Sequence, residues 1–395
     1  MIEFITTTAL EYCDDVRDGT HDSPKHLDNG YILITSKNIK DSEIDYNNAS
    51  YISEQDYNKI NERSLVEVND ILYSMIGTVG LVHRISQKPN YAIKNMGLFK
   101  ISDEIRSKWL YYYLQSNEAK NEVNSRLSGS TQKFISLSNL RNMNVKYPKD
   151  KNDMKKTIKV LDSINNKIMI NNQINNNLHD LAEQQFNKIY STGTTKKLDE
   201  LLFNVSTGSR PKGGAQECGV PSIGAEKIEK FGVYDYSSEK YISEDYYEKL
   251  KNGRLNSGDV LLYKDGAYTG KVSMCLNGFP HNKAAVNEHV FILNTKNNWA
   301  QNYLYFTLYN KDNKEMLHRL ASSKAAQPGL NQVELKSIEI NICEKEDIIN
   351  FEKNVKPIMD KIALNSLENK KLSELRDLLL PKLMNGEIDL DNIEI

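Results

Sequence analysis

Residues able to do chemistry are plentiful in this chain, but their spacing does not assemble a familiar catalytic set. The segment "DGAYTGKV" comes nearest to a phosphate loop. It has three residues between Gly266 and Gly270 where four are required, and Val272 stands where a Ser or Thr must bind magnesium. His281 and His289 stand without a set of metal ligands, and neither HExxH nor GxSxG occurs. No Pro-Pro dipeptide exists, which removes the Asp/Asn-Pro-Pro-aromatic motif of amino-methyltransferases. The run "EKIEK", Glu226 to Lys230, imitates the end of a nuclease motif but reads as a solvated charged face. Cys13, Cys218, Cys275 and Cys343 are scattered without CxxC spacing, which reads as reduced thiols rather than a zinc site or a disulfide frame. The expectation is a chain with no catalytic residue, no metal and no cofactor.

Binding is what remains, and the elements that would position it are built twice. "YISEQDYNKI" at Tyr51 returns as "YISEDYYEKL" at Tyr241, and the surroundings match in the same order. Upstream, Gly19 meets Gly208, each followed by a hydroxyl residue and a nearby proline, Pro24 or Pro211. Downstream, "NDILYSMIGTVGLV" lies on "GDVLLYKDGAYTGKV", which pairs Asp70 with Asp259, Gly77 with Gly266 and Gly80 with Gly270. "GSTQKFISLSNLRNMNV" then falls on "SSKAAQPGLNQVELKSIEI", pairing Gln132 with Gln327 and Leu140 with Leu335. A duplication explains this order, and repeats of such length define the architecture.

Each copy opens with short Val/Ile/Tyr-rich runs punctuated by Gly and Asn, which predict mixed strands and short helices. A helical segment follows, near 151–190 in the first copy and 345–386 in the second. Apolar residues recur by threes and fours at Leu161, Ile164, Ile168, Leu178, Ala182 and Ile189, then at Ile358, Ile362, Leu372, Leu379 and Leu383. A helix of that length extends ~60 Å, which suggests an antiparallel coiled coil rather than a compact domain. Asn171, Asn175, Asn365 and Asn369 occupy its seam, where a buried Asn sets register at a cost in stability. Pro381 is expected to kink or restart the last turns, and Gly386 to stop them.

The chain has 395 residues and a formal net charge of -2, so nucleic-acid binding would need charge segregated onto one face. No apolar run approaches the ~20 residues of a membrane span. The N-terminus lacks the pattern of a signal peptide, so a cytoplasmic, membrane-free protein is expected.

On the tail "LSELRDLLLPKLMNGEI", the blocks "GSTQKFIS" and "SSKAAQPGLN", and the pair "GTVGLV"/"GAYTGKV", the chain resembles the specificity subunit of type I restriction–modification enzymes. Gly329 in the second copy where the first has Phe134 departs from strict loop correspondence. The resemblance implies an α+β fold: two similar target recognition domains, residues 1–147 and 193–343. Two long spacer helices, 148–192 and 344–395 with the C-terminal tail, would pair as an antiparallel coiled coil. It implies double-stranded DNA, two methylation subunits and translocating restriction subunits as partners, and an asymmetric bipartite site read half by each domain.

Base readout needs Arg, Lys, Asn, Gln, Ser and Thr projected from loops. In the first copy these are Thr20, His21, Ser23 and Lys25, then Thr78, then Ser130, Thr131, Gln132 and Lys133. In the second they are Ser209, Arg210 and Lys212, Tyr268 and Thr269, Asn282, Lys283 and Asn287, and Ser323, Lys324 and Gln327. The 22 tyrosines add hydroxyls suited to phosphate. Two other classes stay open on sequence alone: a coiled-coil scaffold for proteins, and a nucleic-acid enzyme with an unrecognised site. Methyl-transfer and cleavage assays with and without partner subunits separate the three.

Overall fold

The structure, a computed structural model, describes residues 2–40, 43–130, 132–266, 268–323 and 329–390. The chain divides into two units, Met1–Asn165 with Glu374–Ile395, and Asn166–Ser373.

In the first unit a four-stranded antiparallel sheet runs in the order Asp15–Asp18, Met96–Lys100, Ile71–Ser74, Val82–Arg84. Its central strand, Ile71 to Ser74, is buried throughout, as an apolar run covered on both faces must be. Beside it, Tyr31–Ile34 pairs antiparallel with Ser50–Ile52 and parallel with Tyr91–Ile93. Phe4–Thr8 pairs with Asn144–Pro148. Trp109, Tyr113, Phe99 and Tyr73 fill the core, and Met154, Ile158, Leu161, Leu380, Leu383 and Met384 complete it from the two long helices.

The second unit repeats this plan. Its sheet order is Asn204–Thr207, Val290–Asn294, Val260–Tyr263, Val272–Met274, and Val220–Ile223 pairs antiparallel with Tyr241–Ile242 and parallel with Ala285–Val286. Thr194–Lys197 with Glu339–Ile342 is the matching outer ribbon. Phe186, Phe231, Tyr303, Phe306 and Phe351 cluster in the core with Val355, Met359 and Ile362.

The repeated "YISE" now has a physical reading. Tyr-Ile is the edge strand, and the serine caps the helix that follows. Ser53 Oγ accepts the Asp56 N–H at 3.1 Å ahead of Glu54–Ser64, and Ser243 Oγ accepts the Tyr246 N–H at 3.2 Å ahead of Glu244–Lys249. The paired glycines are explained by close approach. A Cβ on Gly19 would lie 2.4 Å from the Ile93 carbonyl oxygen, and one on Gly208 would lie 1.7 Å from that of Val286.

The long helices span Lys151–Tyr190 and Lys345–Met384. Within the second unit Asn175 meets Asn365 and Ser366, while Asn171 meets Glu368 and Asn369. Rising numbers on one helix meet falling numbers on the other, so the packing is antiparallel. The helix runs through Pro381 without the restart, one of the two sequence expectations there, and continues to Met384. It closes with Gly386 at φ 69, its N–H on the Leu383 carbonyl and the Glu387 N–H on the Lys382 carbonyl, a Schellman motif.

Candidate nucleic-acid interface

In each unit several of the polar loops singled out by sequence lie together beside the four-stranded sheet. In the first unit the backbone of Thr20 is tied to Ile93 and Asn95, and Gly77 N–H reaches the Lys133 carbonyl at 3.2 Å. Ile76 and Phe134 form a bridge between the two latter loops. A cavity of about 240 Å³ opens between these loops, lined by Asp18, His21, Ile76, Asn95 and Phe134 among others. His21 is clamped there, with Nε2 2.9 Å from Asp18 Oδ2 and Nδ1 2.9 Å from Asn95 Oδ1. With the proton on Nε2 the ring donates to Asp18, and Nδ1 accepts from the Asn95 Nδ2 once that amide is turned over. Asp18 is itself buried and also binds Arg63.

The second unit uses the same places with other side chains. Arg210, two residues after its glycine as His21 is after Gly19, has Nε 3.3 Å from Glu288 Oε1. His289 stands between Glu288, 3.3 Å from Nε2, and Asp265, 3.2 Å from Nδ1. Leu330 N–H donates to the Lys264 carbonyl as Ile135 N–H does to that of Met75, so the loop before each last helix is tied in equivalently. The guanidinium Nη groups of Arg210 make no hydrogen bond to a described residue and are free for a planar acceptor pair.

Comparison with known proteins places this arrangement. The family described as Type I restriction modification DNA specificity domain matches residues 25–180 and 194–376. The chain belongs to that family. The Type I restriction enzyme MjaIX specificity subunit of Methanocaldococcus jannaschii is 22% identical over 375 residues, 87% of this chain and 84% of that protein. The Type I restriction enzyme HindI specificity subunit of Haemophilus influenzae is 45% identical over 86 residues, a match spanning 22% of this chain and only 19% of that protein. The crystal structure of a type I restriction–modification S subunit from M. genitalium shares the fold, with a TM-score of 0.55 at 15% identity, covering 97% of this chain and 96% of that one.

Within this specificity-domain fold the individual residues divide. His21, Lys25, Thr78, Ser130, Gln132 and Lys133 are exposed on loops, as are Ser209, Arg210, Lys212, Tyr268 and Asn282. Ser23 accepts the Lys94 ammonium at 2.7 Å, and Thr20 Oγ1 accepts the Asp22 N–H at 3.1 Å. Two expectations of an outward-facing polar group fail. Thr269 is buried, its hydroxyl donating to the Gly266 carbonyl at 2.7 Å. Asn287 is buried too, its Oδ1 accepting the His289 N–H at 2.9 Å. Both shape their loops from inside. Lys283 lies over the Tyr247 ring and pairs with Glu244 and Glu248, so its charge is already engaged. Ser323 Oγ donates to the Leu320 carbonyl at 2.8 Å. Thr131, Lys324 and Gln327 lie outside the described residues.

Sequence reasoning missed Asp18, Asn95, Asp265 and Glu288, the acceptors that hold His21, Arg210 and His289. A search for donors passes over acids and amides, and distance in the chain hides some of them further, as Asn95 lies from His21 with a separation of 74, although Asp18 is only three positions from His21. The "EKIEK" run is a set of ion pairs: Glu226 with Lys240, Lys227 with Asp235, and Glu229 with Lys271.

Among the described residues, His179, Asp180 and Glu183 are the group of ligating types gathered closely enough to hold a metal ion, their ligand atoms lying within 4.8 Å of one another. His179 is packed among Tyr305, Phe306 and Tyr309, and its Nε2 meets the Tyr305 hydroxyl at 2.9 Å. Burial, aided by the Lys230 charge, pushes its pKa down to about 3, so the ring is neutral. Among the described residues, no helix is long and apolar enough to cross a membrane.

Proposed function

We propose that this chain chooses the DNA sequence on which a type I restriction–modification complex acts, and that it performs no chemistry itself. The recognition domains, residues 1–147 and 193–343, would each read one half of a bipartite, asymmetric site. The observation that carries this reading is one loop constellation built twice with different reading groups. His21 is held by Asp18 and Asn95 in one copy, and Arg210 by Glu288 in the other. Equivalent scaffolds with unlike donors read unlike half-sites, because base edges in the major groove are distinguished by donor and acceptor pattern. The partners are double-stranded DNA, two methylation subunits docked along the paired helices, and restriction subunits in the full complex.

Reconstitution tests this. The purified chain, assayed alone with duplex DNA and S-adenosylmethionine, is expected to transfer no methyl group and cut nothing. With its methylation subunits it is expected to direct methylation to one sequence. Methyl transfer or cleavage by the chain alone contradicts the proposal.

A further inference from the structure

We propose that the second copy holds the DNA phosphate backbone in a basic groove formed by Ser209, Tyr246, Lys249 and Lys251, apart from the side chain of Arg210. This rests on the DNA-reading role proposed above and adds a site to it. The groove encloses about 500 Å³ and is lined by these four residues with Thr207, Gly208, Leu250 and Asn252. It lies beside the close approach of Gly208 to Val286, so its floor is fixed backbone.

Three features fit a phosphodiester. First, the ammonium groups of Lys249 and Lys251 form no ion pair with a described residue. Of the carboxylates on the same helix, Glu244 is taken by Lys283 and Glu248 by Lys283 and by Arg254 at 3.7 Å, while Asp245 forms no ion pair with a described residue, so the two lysines outnumber the one uncommitted acid. In a chain of net charge -2, two neighbouring unpaired lysines in one groove form a local positive field. Second, the Ser209 and Tyr246 hydroxyls are 2.8 Å apart. Only one of their two protons is used between them, and the other is available to an anionic oxygen. Third, the second lysine and the tyrosine are specific to this copy. By the alignment of "YISEQDYNKINE" on "YISEDYYEKLKN", Tyr246, Lys251 and Asn252 correspond to Asp56, Asn61 and Glu62. Of the two lysines, only Lys249 has a counterpart, Lys59.

Phosphate contacts position a protein without reading sequence, and each releases counterions, so they are visible in the salt dependence of binding. The test uses the complex with its methylation subunits. Binding to a duplex carrying the site and to a scrambled duplex is titrated across salt concentrations. The double variant Lys249→Gln/Lys251→Gln is expected to lower the log–log salt slope by roughly one to two and to weaken both duplexes about equally, roughly tenfold. The methylated sequence should not change. Lys249→Arg/Lys251→Arg should retain the slope, and the charge control Lys296→Gln/Lys311→Gln should not reproduce the loss. An unchanged slope in the folded Gln variant, or an equal loss in the control, overturns the groove. A changed methylated sequence overturns it also, by making these lysines base readers. If the unmodified complex does not prefer the site duplex, the DNA-reading proposal fails instead, a result distinct from all of these.

Discussion

Glu352 sits half-buried on the second long helix, one carboxylate oxygen accepting the Tyr303 N–H at 2.8 Å and the other the Asn302 amide at 2.7 Å. It therefore caps the helix Gln301–Tyr309, whose first N–H groups have no partner within that helix. Burial raises its pKa to about 7, against the opposing pull of those hydrogen bonds. The folded state holds this proton more tightly than the unfolded chain, in which a glutamate titrates near ~4.3. The contribution is thus fully present below about pH 4 and is lost as pH rises through about 7. Glu352→Gln is expected to gain on the unmodified chain by on the order of 2 kcal/mol between pH 5 and pH 8. Urea unfolding at the two pH values measures this, and a constant difference contradicts the raised pKa. The paired residues Asp70 and Asp259 show how the copies diverge around one turn. Asp70 binds Lys100 at 2.7 Å, while Asp259 accepts the Asn294 amide at 2.7 Å, and burial raises both pKa values.

Among the elements, the seam of the long helices is polar where Asn365 Nδ2 donates to Asn175 Oδ1 at 2.9 Å and Asn171 Nδ2 to Asn369 Oδ1 at 2.9 Å. Under the repeat these are the same contact made twice, since Asn171 corresponds to Asn365 and Asn175 to Asn369. Asn175→Leu strands the buried Asn365 amide and should cost about 1–3 kcal/mol. Asn175→Leu/Asn365→Leu should recover much of that loss, giving a coupling that urea unfolding resolves. Strictly additive losses would remove the pairing from the stability of the seam. This level was also the most legible in sequence. Blocks around Gly19 and Gly208, and apolar residues spaced by threes and fours, carry local signals that survive duplication. The parallel pairing of Tyr31–Ile34 with Tyr91–Ile93 left no such signal, because nothing near either strand specifies a distant partner. Phe186, Phe351 and Tyr303 meet in one cluster for the same unreadable reason. In the candidate site, glycine turns and exposed donors were readable. Inward-turned Thr269 and Asn287 were not, since a polar side chain's direction depends on the loop it closes.

For the whole molecule, a net charge of -2 is compatible with DNA binding when unpaired cations such as Lys249 and Lys251 share one groove. We propose further that the long helices set the distance between the two half-sites, which makes a prediction. Inserting four residues into both helices, between Asn165 and Asn166 and between Ser373 and Glu374, preserves the register of the seam contacts. Four helical residues add ~6 Å and a base pair ~3.4 Å. The unspecified gap in the methylated sequence is therefore expected to lengthen by one to two base pairs, with both half-sequences intact. An unchanged gap in an active variant would separate the helices from spacing.

The measurement that bears most directly on the central claim is the methylome of cells carrying the methylation subunits and a chimaeric chain. In the chimaera, residues 1–147 are replaced by the corresponding segment of another specificity subunit. Two separately built reading sites, one around His21 and one around Arg210, predict that one half of the methylated sequence changes and the other half does not. Sustained methylation with both halves changed, or with neither changed, would contradict the claim that each copy reads its own half of the DNA.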